Sequence, residues 1–286
     1  MWFLLALSGA FCTTAAEVLI KRAAGKIPVN ILILASWLYS LPLLAAMIPF
    51  AEIEAPPAAF WAVVAAMVPL EVAGAFLYIR AITTAPLSLS APFLSFTPLL
   101  LVLTGASILG EVLPAAGVIG VILVAAGAYC MNIGDMKKGL FKPVAAMFRL
   151  QGPRLALGAA ALYAITSALA KKAIMLSHPY LFTAIYVSIL TVVFAVSLAV
   201  RGRRLAPVVY CWKTMLPVGV FLGAAAIFMN LAFLAAPVAY AIAVKRLSLV
   251  LSVIAGRFLF GEGRFAERFV GAALMVGGVV ILALVR

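Results

Sequence analysis

Three observations predict an all-α integral membrane fold of ten transmembrane helices arranged as two inverted five-helix repeats. Hydrophobic residues make up 67% of the chain and charged residues 10%, and the mean hydropathy is +1.26. Soluble domains carry about 25% charged residues, so a water-exposed surface could not be covered. Apolar runs recur along the whole chain, each near the roughly 20 residues that span a bilayer. The chain also repeats itself. Leu5-Ala6-Leu7 returns as Leu155-Ala156-Leu157, Lys21-Arg22-Ala23 as Lys171-Lys172-Ala173, and Ala85-Pro86 as Ala236-Pro237. Gly105, Gly110-Glu111, Gly120 and Gly127 return as Gly256, Gly261-Glu262, Gly271 and Gly278.

The first run covers 2–22 and carries Glu17, Lys21 and Arg22 towards its end. No cleavage signature follows it, so it reads as a membrane helix rather than a removable signal. Runs at 29–50, 57–83, 86–109 and 114–134 complete the first half. Runs at 153–175, 179–200, 214–235, 238–260 and 265–285 form the second. Most begin beside a proline: Pro28, Pro57, Pro86, Pro114, Pro153, Pro179 and Pro237. Proline suits a first helical turn because that amide has no partner anyway. Helix four also carries Pro92 and Pro98 with Ser88, Ser90, Ser95 and Thr97. That pattern predicts a bent or broken backbone near the midplane, with hydroxyls able to satisfy the freed carbonyls. The domain reading is a first repeat at 1–134, a basic linker at 135–152 and a second repeat at 153–286. Stretches 135–152 and 201–213 read as polar surface loops. Five helices per half is an odd number, which forces the second half to insert upside down.

The net charge is +13. In a soluble protein this would suggest nucleic acid, but here the basic residues concentrate in short loops. Loops after helices one, three, five, seven and nine, with their flanks, hold 16 of the 21 Lys and Arg residues. The positive-inside rule then places those loops in the cytoplasm and both termini outside, in a cell inner (plasma) membrane. Cys12, Cys130 and Cys211 are far apart and share no metal-ligand spacing. They read as free thiols. Trp2, Trp37, Trp61 and Trp212 sit mostly near helix ends, as an interfacial belt would. No nucleotide-binding loop, metal-ligand set or Ser/His/Asp arrangement is present, and His178 reads as a surface residue. Neither an enzyme nor a cofactor is expected.

The strongest site signal is Lys245-Arg246, inside the ninth apolar run. A cation at a helix centre costs about 2.5–3.5 kcal/mol on insertion scales. The pair either snorkels, serves as a structural partner for Glu17 or Glu71, or faces a wet cavity and holds an anion. The matching residues of the first half are Leu94-Ser95, so the repeat itself does not require cations there. Tyr240, Ser248 and Ser252 can hydrogen-bond a polar ligand; Ser252 lies on the stripe of Lys245. Asn230 is a buried amide that either glues helices or contacts ligand. Glu17 precedes Lys21 by four residues, an order that favours an ion pair, and is otherwise a proton-coupling carboxylate. Glu71 lies near the middle of helix three with Gly74 and Tyr78 on its stripe, a candidate coupler or counter-ion. Arg80 and Lys171-Lys172 read as helix-end cations, and the latter pair also suggests a gate.

Two five-helix halves, each closing its fourth helix in Gly-Glu before a glycine-rich fifth, resemble the drug/metabolite transporter superfamily with two EamA-type halves. Locally, Asn230, Ala236-Pro237, Val244-Lys245-Arg246 and Ser252-Val253-Ile254 are similar to the helix eight–nine region of triose-phosphate/phosphate translocators. That resemblance implies a phosphate-binding role for Lys245 and Arg246. The family's basic residue in helix four has no counterpart, since 86–109 contains no Lys or Arg.

The expected function is secondary active transport, by alternating access, of a small polar, anionic metabolite, phosphorylated ones included. Lys245 and Arg246 would hold the negative group, with Tyr240, Asn230 and Ser252 orienting it. Glu17 and Glu71 would couple protons or act as counter-ions. The alternatives are a proton-coupled exporter of amino acids or amphiphiles, and a membrane scaffold without turnover. The implied partners are a small-molecule substrate and the lipid bilayer, with no nucleic acid and a monomer as the simplest state.

Overall fold

The computed structural model describes residues 1–23, 26–50, 54–84, 87–132, 150–203, 205–260 and 265–285. Its regular elements are helices: α1 (Trp2–Ala23), α2 (Val29–Leu38), α3 (Leu41–Met47), α4 (Ala58–Thr84), α5 (Leu87–Leu94), α6 (Thr97–Leu109) and α7 (Ala115–Asn132) in the first half. The second half holds α8 (Gln151–Met175), α9 (Pro179–Val200), α10 (Ala206–Tyr210), α11 (Trp212–Ala235), α12 (Val238–Lys245), α13 (Leu247–Phe260) and α14 (Phe265–Leu284). Among the described residues, eight stretches are long and apolar enough to cross a membrane, and the helices at Ala115–Met131 and Phe269–Leu284 are apolar but shorter. Large side chains such as Phe76, Leu103, Val192, Phe258 and Val280 lie exposed on the outside. That is the surface a lipid-facing bundle presents.

Three helix pairs make the frame: α1 with α11, α4 with α8, and α7 with α14. Small residues let them approach closely, which is how helices gain packing energy when lipid is as apolar as leucine. In α1 the buried positions include Ala6, Gly9, Ala10, Thr14, Ala16 and Ala23. Their repeat equivalents Ala156, Ala159, Ala160, Ala164, Thr166 and Ala173 are buried in α8. Glycines set the contact of α7 with α14. A Cβ on Gly127 would collide with Gly271, and one on Gly120 with Leu282 and Gly278. Gly120 thus faces Gly278 while Gly127 faces Gly271, so these two helices run antiparallel.

Three long apolar runs are interrupted. In helix four the interruption follows from proline. Pro98 has no N–H to give to the Leu94 carbonyl one turn back, so α5 ends at Leu94 and α6 begins at Thr97. Ser95 and Phe96 form a turn there, donating to Pro92 and Phe93 at 3.1 and 3.2 Å. Pro86, at the expected start of that helix, lies outside the described residues. The second run breaks at Tyr39-Ser40, before Pro42. The backbone of α11 passes so close there that a Cβ on Gly219 would meet the Tyr39 carbonyl. The third interruption lies at Arg246, between α12 and α13. No proline or glycine stands there, and the sequence carries no signal for it. In the region read as a polar loop at 201–213, the structure has the short helix α10, and α11 begins earlier than expected, at Trp212. Most of the 135–152 linker, and Gly261-Glu262, lie outside the described residues.

Candidate functional site

Two of the three interrupted runs, the fourth and the ninth, meet inside the bundle. Pro98 offers the Leu94 carbonyl no N–H at the end of α5; the Thr97 hydroxyl donates to it at 2.7 Å and Arg246 Nη2 at 2.9 Å. A guanidinium is well suited to the C-terminal end of a helix, where carbonyl dipoles converge. Ser95 and Arg246 are repeat equivalents, so the arginine of one break closes the other. This contact uses one edge of the guanidinium. Its Nε is buried and has no hydrogen-bond partner among the described residues. An orphaned buried donor costs about 1–3 kcal/mol, so a polar group placed there would bind with that gain. Lys245 next to it makes no hydrogen bond or ion pair among the described residues.

Two carboxylates act on these cations. Lys245 and Arg246 feel the charge of Glu17 on α1, and Lys245 also that of Glu71 on α4. Glu17 accepts a hydrogen bond from Ser252 on α13 at 2.5 Å. One turn before it, Thr14 donates to the Ser248 carbonyl at 3.3 Å, which fixes α1 against α13. Glu71 is half-buried beside the hydroxyls of Thr166 on α8 and Tyr186 on α9. The Tyr186 hydroxyl is buried and completes no hydrogen bond of full geometry. Tyr163 on α8 neighbours Glu71 and Tyr78, and Tyr78 faces Arg246. Gly74 leaves room for the Tyr163 ring, whose Cε1 lies 3.0 Å from where a glycine Cβ would stand. The cluster therefore unites cations from the second half, carboxylates from the first, and a wall of tyrosines from both. With all four groups ionised its formal charge is zero.

A family model described as the EamA-like transporter family matches residues 1–133 and 150–284. This chain belongs to that family. It is a multi-pass membrane transporter. A solved crystal structure 17% identical in sequence superposes at a TM-score of 0.79, covering 99% of this chain and 96% of that one; it matches the fold and says nothing of substrate. No curated protein matches the chain.

The structure brings together in the transporter Lys245, Arg246, Glu17, Glu71 and Ser252 from the sequence reading. It places Tyr240 and Asn230 on other contacts. Tyr240 sits in the first turn of α12, with its ring 6.0 Å from that of Trp2 and its hydroxyl against Gly117. Asn230 donates to the Thr183 hydroxyl at 2.7 Å, tying α11 to α9. Thr166, Tyr163 and Tyr186 were not legible as site residues. Their only sequence signal is a polar side chain inside an apolar run.

A second polar knot lies at the far end of α12. Lys171 pairs with Glu111 at 2.6 Å and donates to the Ala236 carbonyl at 2.7 Å. The other Glu111 oxygen accepts from the Val238 N–H at 3.0 Å. A carboxylate at a helix start satisfies an orphan donor and complements the helix dipole. Gly110, left-handed at φ 70°, ends α6 and turns Glu111 inward. The sequence marked Gly-Glu and Lys171 as repeated features, but not as partners.

Proposed function

We propose that the transporter moves a small anionic metabolite by alternating access around Lys245 and Arg246. The observation that carries this reading is the pair of cations facing the cluster with unused capacity: among the described residues Lys245 has no hydrogen bond, and the buried Nε of Arg246 is unsatisfied. A carboxylate or phosphate oxygen supplies the acceptor both lack, and charge-assisted hydrogen bonds are the strong ones. The Leu94 contact fixes the guanidinium beforehand, so little ordering cost remains at binding.

Ten spans in two inverted repeats, 1–134 and 153–286 joined by the 135–152 linker, supply the moving parts. Three features support that plan: equivalent buried positions in α1 and α8, the antiparallel contact of α7 with α14, and a frame in which exchanging the halves maps α1–α11 onto α8–α4. Loop charge favours an inner plasma membrane with both termini outside.

Glu17 and Glu71 make the coupling electrostatic. An anion entering a neutral cluster leaves one uncompensated negative charge, which a proton on either carboxylate removes. Anion and proton then travel together. In an exchanger, the counter-substrate takes the place of the first anion and no proton is needed. The second reading, proton-coupled export of amino acids or amphiphiles, draws on the same carboxylates, with Glu71 as the proton carrier and Lys245-Arg246 gripping a carboxylate.

Thermal unfolding of the purified transporter with phosphate, phosphorylated sugars, carboxylates, amino acids and organic cations tests this directly. A ligand present at 100 times its Kd stabilises by about 2.7 kcal/mol. Anions are expected to stabilise the wild type and not Lys245→Ala, and counterflow in vesicles then reads turnover. Stabilisation by cations or amphiphiles that survives Lys245→Ala would sink the anion reading.

A further inference from the structure

Away from the central cluster, a cavity of about 780 Å³ opens between the end of α1, the start of α2, α10 and the start of α11. That volume is within the roughly 300–1,000 Å³ range of small-molecule sites. Its walls include Leu19, Ile27, Pro207 and Pro217, and its polar groups include Arg22, Lys26 and Lys213. Among the described residues, no acidic side chain lines it. None of the three cations has an ion pair among the described residues. Lys213 lies 5.7 Å from the centre of the Trp212 ring. Tyr210, in the cavity lining, is 85% exposed, and Trp212, between the lining residues Cys211 and Lys213 in the chain, is 49% exposed.

This cavity is separate from the transport cluster. On a helix of 3.6 residues per turn, Leu19, Arg22 and Ala23 lie within about 60° of the direction opposite Glu17. The body of α1 therefore stands between the cavity and the Glu17–Lys245 cluster. A basic mouth over an apolar slot, edged by tyrosine and tryptophan, fits a molecule with an anionic head and a hydrocarbon body lying at headgroup depth. A soluble anion would leave the apolar walls unused.

We propose that the cavity binds one anionic phospholipid from the bilayer, its phosphate between Arg22, Lys26 and Lys213 and its acyl root against Leu19, Ile27 and Pro217. The lipid bridges the α1–α2 connection to α10 and α11, two segments from opposite halves, and holds that end of α1 in register.

The full-length protein in detergent is titrated with phosphatidylglycerol, phosphatidylcholine or glycerol phosphate, and unfolding is followed thermally. Native mass spectrometry counts retained lipid, a readout independent of variant stability. Two triple variants accompany the wild type: Arg22→Gln/Lys26→Gln/Lys213→Gln, and the charge-preserving Arg22→Lys/Lys26→Arg/Lys213→Arg. Expected are stabilisation by phosphatidylglycerol of the wild type and the charge-preserving variant, and one retained lipid. The half-saturating concentration should rise at least tenfold in the glutamine variant. Lys245→Ala should respond as the wild type does, which keeps this result independent of the transport reading. Equal stabilisation by phosphatidylcholine, or an unchanged response in the glutamine variant, would overturn the proposal. A shift reproduced by glycerol phosphate alone would replace it with a soluble-anion site.

Discussion

Lys245 and Arg246 are adjacent and equally charged, yet their surroundings give them different work. Arg246 closes the α5 terminus through Leu94, so Arg246→Ala is expected to destabilise the protein by about 1.5–3 kcal/mol, the worth of a hydrogen bond to a charged group. Lys245 has no such contact to lose. Lys245→Ala is expected to leave the melting temperature unchanged or raised while abolishing anion-induced stabilisation. Thermal unfolding with and without ligand separates the two. Glu71→Gln tests coupling. With the carboxylate present, anion binding draws a proton, so affinity should strengthen as pH falls. The amide cannot ionise, so the variant should bind more tightly at neutral pH with a flatter pH profile. An unchanged profile in isothermal titration would leave Glu17 as the coupling group.

The helix pair α12–α13 shows why this site is built on interrupted elements. A continuous helix has no spare carbonyls or donors to offer a ligand, whereas a break exposes them. Pro98 explains the break between α5 and α6 locally, and the break at Arg246 goes with the cross-bundle contact to Leu94. The other end of α12 is held by Glu111. Glu111→Gln keeps an acceptor for the Val238 N–H but loses the ion pair with Lys171, while Glu111→Ala loses both. Melting temperatures are therefore expected to fall in the order wild type, Glu111→Gln, Glu111→Ala. If α12 must tilt during transport, Glu111→Gln should also raise the modification rate of a cysteine placed at Val238.

At the scale of the molecule, the glycine seam between α7 and α14 joins the two halves without room for adjustment. Gly127→Leu would drive a side chain into Gly271 and Met275, an overpacking of about 1–3 kcal/mol or more, read as lower yield and melting temperature. Loop charge predicts the orientation. In a background lacking Cys12, Cys130 and Cys211, an impermeant maleimide added outside intact cells should label Glu54→Cys and not Arg203→Cys. The reverse pattern would invert the topology.

The sequence alone determined the solvent. With 10% charged residues and apolar runs throughout, only a helical membrane protein can satisfy its backbone, because lipid offers the peptide groups no partners. It also determined the repeat, since Gly and Pro positions fix close contacts and helix starts whatever else varies. Lys245, Arg246, Glu17 and Glu71 stood out because a charge in an apolar run is expensive wherever it points. What the sequence could not carry is direction. Whether a tyrosine or an amide faces the centre depends on helix rotation and on breaks set by contacts far away in the chain. Only the tertiary structure turned Tyr240 towards Trp2 and Asn230 towards Thr183. It also brought Tyr163, Thr166 and Tyr186 to Glu71, joined Lys171 to Glu111, and left one edge of Arg246 unfilled.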